Sequence, residues 1–222
     1  MKAVILLSGG LDSATTAAVA RSQGFGLYAL TFDYNQRHKK ELSCAQKIGH
    51  SLSVQDHQFI ELHLPKLNSA LIDTSIPIPK GHIRQTIPET YVPARNLIFL
   101  SIAAAYAESI GAIDIFVGVN AIDYSGYPDC RPEFIEAFQT ALNTGTKVAI
   151  MGKPFDIQTP LINLTKGEII RWGISLGVDY SLTWSCYQGG EKACGECGSC
   201  MLRQRGFQEA GINDPLEYCH VP

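Results

Sequence analysis

The chain has 222 residues, 45% of them hydrophobic and 18% charged, and a net charge of −3. A chain of this length buries roughly 70% of the surface that it exposes when unfolded, so we expect a globular protein that folds without crosslinks. The near-neutral balance argues against a general nucleic-acid coat, and no apolar run reaches the length of a membrane span or of a signal-peptide core. We therefore expect a cytoplasmic protein without membrane or direct nucleic-acid contacts.

Strand-like and helical runs alternate in chain order. The predicted strands cover 3–7, 27–32, 58–64, 113–119 and 155–159, and the predicted helices cover 13–23, 39–48, 94–110, 132–142 and 165–176. Continuous apolar strands alternating with helices predict an α/β fold with a doubly wound parallel sheet. Residues 65–93 lack this periodicity, and we interpret them as a long loop in a position to cover a ligand site beyond the carboxyl ends of the strands.

The first predicted strand runs into a glycine turn, LLSGGLDSATTAAVA from Leu6 to Ala20. A turn between a strand and a helix directs backbone N–H groups to one place, and the helix dipole adds positive charge. Glycines allow close approach of a bulky anion, and serines add hydroxyl donors. The turn predicts a phosphate cradle. Its candidate contacts are Ser8, Gly9, Gly10, Leu11, Asp12, Ser13, Ala14 and Thr15.

Asp12 is the unusual member of this turn, because a carboxylate repels phosphates unless a cation lies between them. Mg²⁺ bound by the carboxylate and by phosphate oxygens removes the conflict. The alternative is that Asp12 only caps the helix. No segment matches the Walker A pattern, and the turn contains no lysine.

The sequence SGGLDS resembles the SGGxDS loop of the ATP pyrophosphatase superfamily. This resemblance implies an enzyme that splits ATP between the α and β phosphates and adenylates a carbonyl or carboxylate, from which a nucleophile displaces AMP. The fold that it implies is the α/β nucleotide-binding fold predicted above.

Seven cysteines are present, and in a cytoplasmic protein they are thiols or metal ligands before they are disulfides. Cys186, Cys194, Cys197 and Cys200 lie within fifteen residues, in CYQGGEKACGECGSC. Four thiolates suit a closed, structural, tetrahedral zinc site. An iron–sulfur cluster and four unrelated thiols are the alternatives. We expect residues 1–180 to form the nucleotide-binding domain and residues 181–222 a zinc-binding unit.

The segment from Asn120 to Phe134, NAIDYSGYPDCRPEF, follows the fourth predicted strand and is expected to face the same crevice. Tyrosines can stack on a flat ring, and a carboxylate can accept two N–H bonds from a guanine-like edge. A rigid surface turn made by its prolines and glycine is the alternative. The candidate substrate contacts are Asp123, Tyr124, Tyr127, Asp129 and Arg131.

Five segments together resemble the 7-cyano-7-deazaguanine synthase family: SGGLDS, YVPARN, VGVNAIDYSGYPDCRPEF, TPLINLTKGEI and the cysteine tail. The resemblance implies a homodimeric zinc enzyme that converts 7-carboxy-7-deazaguanine, ammonium and ATP with Mg²⁺ into the nitrile of queuosine biosynthesis. One position departs from the family pattern, because Gly198 stands where the tail usually has Asp. Since that Asp is not a metal ligand, the departure questions only its supporting or helix-capping role.

The same resemblance implies phosphate contacts from Lys166, in LTKGEI, and phosphate or carboxylate contacts from Arg95, in YVPARN, so these residues and Asp12 are the predicted catalytic set. The reaction needs no thiol nucleophile, so Cys130 is expected to pack or to contact substrate. Two other functions remain open: a tRNA-thiolating enzyme with an iron–sulfur cluster, and a nucleotide-sensing protein with a zinc module.

Overall fold

The computed structural model describes residues 1–65, 67–81, 87–122 and 126–219. The strands are β1 (Lys2–Leu6), β2 (Gly26–Asp33), β3 (Asp56–Glu61), β4 (Asp114–Phe116) and β5 (Asp156–Gln158). The helices are α1 (Leu11–Ser22), α2 (Lys40–Ser51), α3 (Arg95–Ile110), α4 (Pro132–Gly145), α5 (Lys147–Ile150), α6 (Lys166–Ser175) and α7 (Gly198–Ala210), with 3₁₀ turns at Pro128–Cys130 and Tyr180–Leu182.

The five strands form one sheet in the order β3-β2-β1-β4-β5, and every neighbouring pair is parallel. The chain winds outward from β1 to β3 and then returns across β1 to β4 and β5. The predicted doubly wound parallel α/β fold is therefore confirmed. Such a reversal creates a crevice at the carboxyl ends of the central strands, where ligands of open α/β sheets bind.

Both faces of the sheet are covered, as the continuous apolar strands require. Val4 and Leu6 of β1 pack with α3 on one face. Ala3, Ile5 and Leu7 pack with α1 and α2 on the other. The strands thus send alternate side chains into two separate apolar layers.

Several element boundaries differ from the predictions. The helix α1 begins at Leu11 rather than at residue 13, and β4 ends at Phe116 rather than at residue 119. Val117 and Val119 are apolar because they line the crevice and pack in the core. Their apolar character therefore does not show that the strand continues through them. The described residues between 65 and 93 contain no helix or strand, as predicted, and of these Leu71 lines the crevice.

The carboxyl-terminal segment packs closely on the α/β body. A Cβ atom at Gly206 of α7 would lie 2.4 Å from Cγ of Lys166, so this glycine allows α7 to approach α6. Trp184 N–H donates to the Gly9 carbonyl at 2.9 Å. Arg203 is buried and donates to both carboxylate oxygens of Asp214, which ties the end of the chain to α7. A domain boundary near residue 180 stays a prediction.

Within the described ranges, no helix combines the length and the apolar character that a bilayer crossing demands.

Candidate active site

The glycine turn lies at the carboxyl end of β1 and is shaped by a close helix contact. Gly9 has φ of +90°, and a Cβ atom there would lie 2.1 Å from the backbone oxygen of Glu41 in α2. Both the left-handed backbone and the close approach therefore require glycine. The turn is held against the first turn of α2 by this contact.

The two serines of the turn are bonded to each other. Ser8 Oγ donates to Ser13 Oγ at 3.0 Å, and Ser13 Oγ also donates to the Gly10 carbonyl at 3.0 Å. Gly10 is the N-cap of α1, so the N–H groups of the first turn lie at Leu11, Asp12 and Ser13. These are the donors that a helix offers to an anion.

The predicted phosphate contacts from Ala14 and Thr15 have no support in this geometry. The Ala14 N–H donates to the Gly10 carbonyl at 3.1 Å, because α1 begins earlier than predicted. Thr15 is fully buried, and its hydroxyl is bonded to the Leu11 carbonyl and the Tyr180 hydroxyl. Neither residue lines the crevice.

Asp12 and Lys166, both predicted catalytic residues, meet across the crevice. Lys166 Nζ donates to the two carboxylate oxygens of Asp12 at 2.8 and 2.9 Å. Lys166 is 9% exposed at the start of α6, where Thr165 and Glu168 form the predicted capping box. A buried cation at a helix N-terminus is unfavourable on its own, so its pairing with an acid beside the glycine turn indicates a positioned charge.

Arg95 enters from the opposite wall at the first residue of α3. Its Nη1 donates to the Tyr34 hydroxyl at 3.4 Å. The residue before it, Ala94, has φ of +56°, which turns the chain sharply into the helix. Arg95 therefore faces the crevice. Tyr34, Arg95 and Tyr127 all line the same cavity.

The five predicted substrate contacts divide into three groups. Asp123 and Tyr124 lie outside the described residues. Tyr127 lines the cavity, and its hydroxyl is bonded to Thr90 at 2.8 Å. Asp129 and Arg131 are not brought to the cavity.

The reason lies in the contacts of Asp129. This residue is 4% exposed, and its Oδ2 accepts the Asn96 N–H at 3.0 Å while its carbonyl accepts the Asn96 side-chain amide. Asp129 thus fixes the first turn of α3. Arg131 is exposed at the start of α4. A substrate contact from either residue is not supported by this arrangement.

Cys130 lines the cavity as a protonated thiol. Burial and the Asp129 carboxylate raise its pKa to about 12, against the opposing effects of Arg95 and Asn96. A thiol with so high a pKa is a poor nucleophile at neutral pH. This agrees with the expectation that Cys130 packs or contacts substrate.

The cavity has a volume of about 290 Å³ and opens at the carboxyl edge of β1, β2 and β4. It contains one acidic residue that the sequence interpretation missed, Glu41 of α2. Burial raises the pKa of the Glu41 carboxyl to about 7, with Arg95 opposing the rise and Cys186 adding to it. Glu41 directly follows four basic residues, 37–40, a pattern typical of an exposed helix start, so the sequence carries no signal for its place in the cavity.

The four predicted metal ligands come together. The sulfurs of Cys186, Cys194, Cys197 and Cys200 all lie within 4.8 Å of one another, and all four residues are buried. Tetrahedral zinc with bonds of about 2.3 Å places its sulfurs about 3.8 Å apart. The Cys194 and Cys200 sulfurs are 3.9 Å apart, and backbone N–H groups of Gln188 and Cys194 point at the Cys186 sulfur. The arrangement fits one metal ion.

The cysteine cluster also shapes the cavity. Residues on both sides of its ligands form one wall: Trp184, Ser185, Tyr187, Ser199, Leu202 and Arg203. Gly198, the position that departs from the family pattern, is the first residue of α7, and a Cβ atom there meets nothing within 4 Å. An aspartate therefore has room at this position but is not needed to form the wall.

The model of the family described as Queuosine biosynthesis protein QueC matches residues 2–211. The chain belongs to this family. A 7-cyano-7-deazaguanine synthase of Geobacter sp. (strain M21) is 55% identical over 219 residues, covering 98% of this chain and 97% of the relative. One of Cellvibrio japonicus is 56% identical over 220 residues, with 98% and 97% covered. The prediction of an enzyme of queuosine biosynthesis is thus confirmed.

Solved structures support the same fold. A 4-thiouridine synthetase in complex with RNA and ATP matches with a TM-score of 0.52 at 18% identity, covering 95% of this chain and 50% of the other. A predicted tRNA methyltransferase subunit from Methanocaldococcus jannaschii matches with a TM-score of 0.50 at 17% identity, covering 78% and 74%. At these identities the likeness concerns the fold alone.

Proposed function

We propose that this QueC family member converts 7-carboxy-7-deazaguanine, ammonium and two molecules of ATP into 7-cyano-7-deazaguanine. The names of its relatives support the product. The observation that carries the proposal is the shared cavity, in which the glycine turn, the Asp12–Lys166 pair and Arg95 face one another. A nucleotide and a carboxylic acid can bind side by side in this cavity, close to the charged side chains of Asp12, Lys166 and Arg95.

The first step activates the acid. A carboxylate oxygen attacks the α phosphorus of ATP, the bond to the β phosphate breaks, and pyrophosphate leaves. The N–H groups at the start of α1 hold the departing pyrophosphate, and Lys166 and Arg95 stabilise the charge that develops on the phosphoryl oxygens. Asp12 would be the residue that holds Mg²⁺ with the substrate phosphates, since Mg²⁺ binds through one or two carboxylates and phosphate oxygens.

The second step replaces AMP with nitrogen. Ammonia, formed when ammonium loses a proton to solvent, attacks the acyl carbon. AMP leaves with one of the two original carboxylate oxygens, and the attached nitrogen loses one further proton to solvent. The product is the primary amide. Its oxygen is then adenylated by a second ATP with loss of pyrophosphate, and departure of AMP together with two protons from nitrogen leaves the nitrile. No step forms a bond to a thiol, in keeping with the high pKa of Cys130.

The cysteine cluster is proposed to hold structural zinc. Four thiolates leave no open coordination position, so zinc supplies folding energy and not catalysis. Its ligands fix the wall that contains Ser185 and Ser199. The close spacing of the sulfurs, all within 4.8 Å of one another, favours a single zinc ion over an iron–sulfur cluster, whose cysteines bind different irons. An ultraviolet-visible spectrum distinguishes the two because zinc thiolates do not absorb visible light.

A coupled assay with mass spectrometry tests the function. The purified protein is incubated with ATP and 7-carboxy-7-deazaguanine, with and without ammonium. We expect the nitrile, AMP and pyrophosphate only in the complete mixture. ATP cleavage that does not depend on the deazaguanine acid would contradict the proposal, and ATP binding without turnover would indicate a nucleotide sensor. The homodimer and the cytoplasmic location both stay predictions. Light scattering tests the first, and fractionation of cells tests the second.

A further inference from the structure

The cavity holds a carboxylate for which the proposed chemistry has no role. Among the described residues that line the cavity, Asp12 and Glu41 are the acidic ones. Asp12 is paired with Lys166 at 2.8 Å. Within the described part of the chain, Glu41 forms no ion pair and its carboxylate makes no hydrogen bond. A carboxylate that lines a cavity and has no donor from the protein is available to the donors of a ligand.

The backbone of Glu41 is fixed by the glycine turn. Its carbonyl oxygen occupies the space that a Cβ atom at Gly9 would need. The first turn of α2 and the glycine turn are therefore in close contact. Six aromatic residues line the same cavity as Glu41: Phe32, Tyr34, Phe99, Tyr127, Trp184 and Tyr187. Aromatic side chains suit a flat heterocycle, and a carboxylate without a protein donor suits N–H donors that such a ring carries.

We propose that the Glu41 carboxylate binds the lactam and 2-amino edge of the deazaguanine substrate. It accepts hydrogen bonds from the ring N–H and from the exocyclic amine of the substrate. This inference rests on the proposed function. It gives Glu41 the role that the sequence suggested for Asp123 and Asp129. Asp123 lies outside the described residues, and Asp129 Oδ2 accepts the backbone N–H of Asn96.

The donor pattern of the two heterocycles distinguishes between them. The edge of guanine that carries the 2-amino group presents two adjacent N–H donors, which match the two oxygens of a carboxylate. Two N–H donors also stabilise the charged, acceptor-only form of the carboxyl, whereas the corresponding edge of adenine presents one donor beside a ring nitrogen with a lone pair. Glu41 would face repulsion from that lone pair. The carboxylate therefore favours the deazaguanine over the adenine of ATP.

The local charge disfavours a cation as the ligand. The Arg95 guanidinium acts on the Glu41 carboxyl, where it counteracts the effect of burial. For a free ammonium or magnesium ion, repulsion by this guanidinium offsets the attraction of the Glu41 carboxylate. A neutral N–H edge is not repelled, and it gains charge-assisted hydrogen bonds.

The experiment compares two substrates with and without the 2-amino group, 7-carboxy-7-deazaguanine and 7-carboxy-7-deazahypoxanthine. Sites built to bind a substrate N–H group reject the analogue that lacks it by large factors, so for the unaltered enzyme we expect kcat/KM to differ by at least about 100-fold. In Glu41→Gln we expect the ratio to fall to roughly 10 or less, because the amide offers one acceptor in place of two. Glu41→Asp keeps the carboxylate and should retain part of the preference.

Glu61→Gln is the matched control, because Glu61 is exposed at the end of β3, outside the cavity lining. It should leave the ratio unchanged. An unchanged ratio in both Glu41 variants overturns the inference, and so does a Glu41→Gln variant that keeps the ratio but has a raised KM for ammonium. If Glu41→Gln does not fold, Glu41→Asp decides: loss of part of the preference supports the inference, and full retention overturns it. Failure of the unaltered enzyme to use the deazaguanine acid at all would instead refute the proposed function.

Discussion

Lys166 Nζ donates to both carboxylate oxygens of Asp12, although the two residues lie 154 positions apart in the chain. The pair joins the first turn of α1 to the first turn of α6 at the edge of the cavity. Each residue holds the other where phosphates are proposed to bind. In this structure the negative partner of Lys166 is a carboxylate, and in the proposed reaction phosphoryl oxygens compete for the same ammonium group.

The pair predicts strongly non-additive effects on turnover. Lys166→Met and Asp12→Asn should each lower kcat by on the order of 100-fold or more, because removing one charge donor from a transition state has this effect. The double variant should lose little more than either single variant, since contacting residues of one network couple. Steady-state kinetics of the three variants measure this.

Lys153→Met serves as the control for these variants, because Lys153 is an exposed lysine outside the cavity. It should retain full turnover. Losses that simply add in the double variant, with all proteins folded by circular dichroism, would contradict a shared role.

Two glycines with similar φ angles allow the effect of the left-handed backbone to be measured apart from the effect of the contact between the glycine turn and α2. Gly9 and Gly24 have φ of +90° and +86°, but a Cβ atom at Gly24 meets nothing within 4 Å. Gly24→Ala should cost about 1 kcal/mol of unfolding free energy, with turnover unchanged. Gly9→Ala should cost more and abolish turnover, because the new methyl group collides with the Glu41 carbonyl. Equal effects in denaturant melts and kinetics would show that the contact does not matter.

Cys130 should be dispensable as a nucleophile. Burial raises its pKa to about 12, so at pH 8 nearly all of the thiol is protonated, and the thiolate forms only as the pH approaches that value. Cys130→Ala should keep kcat within about 10-fold, the range of a lost contact and not of a lost nucleophile. Kinetics and intact-protein mass spectrometry of quenched reactions provide the check. A covalent adduct on Cys130, or complete loss of turnover in a folded variant, would argue for a thiol intermediate.

The metal-binding role of the cysteine cluster predicts coupled loss of metal and of activity. Cys200→Ser should lower bound zinc from one equivalent and destabilise the protein, because structural zinc contributes on the order of 10 kcal/mol to the folding of small modules. Turnover should fall because the wall with Ser185 and Ser199 loses its support. Metal analysis, thermal melting and kinetics are measured on the same preparation.

Cys219→Ser is the control for that variant, since Cys219 is an exposed cysteine outside the cluster. It should keep its zinc and its melting temperature. Full activity of a metal-free, folded Cys200→Ser protein would remove the proposed link between the cluster and the cavity.

The sheet and its ligand edge could be predicted from the sequence, because apolar strands followed by helices leave few other arrangements. The glycine turn and the four cysteines could be recognised since their function depends on local spacing. The start of α1 was predicted too late, because Gly10 acts as the N-cap without a side chain and the apolar Leu11 already belongs to the helix. The helix α7 was missed because its first turn carries glycine and cysteine, which are poor helix formers.

Contacts between distant segments were beyond reach. Asp129 stands in a polar segment where substrate contacts were expected, yet its partner is Asn96 in α3. Glu41 follows a run of basic residues that is typical of a solvated helix start. The approach of α2 to Gly9 nevertheless brings it to the cavity. Which polar side chain faces a ligand depends on how the helices pack, and a single sequence does not contain that information.

Adenylation of the carboxylate in this cavity is the central claim, and oxygen labelling tests it most directly. The enzyme is incubated with ATP, ammonium and 7-carboxy-7-deazaguanine labelled with ¹⁸O in both carboxylate oxygens, and the AMP is examined by mass spectrometry. The account predicts one ¹⁸O in each AMP released and none in pyrophosphate. Label that appears in pyrophosphate, in inorganic phosphate or in water, with unlabelled AMP, would contradict it.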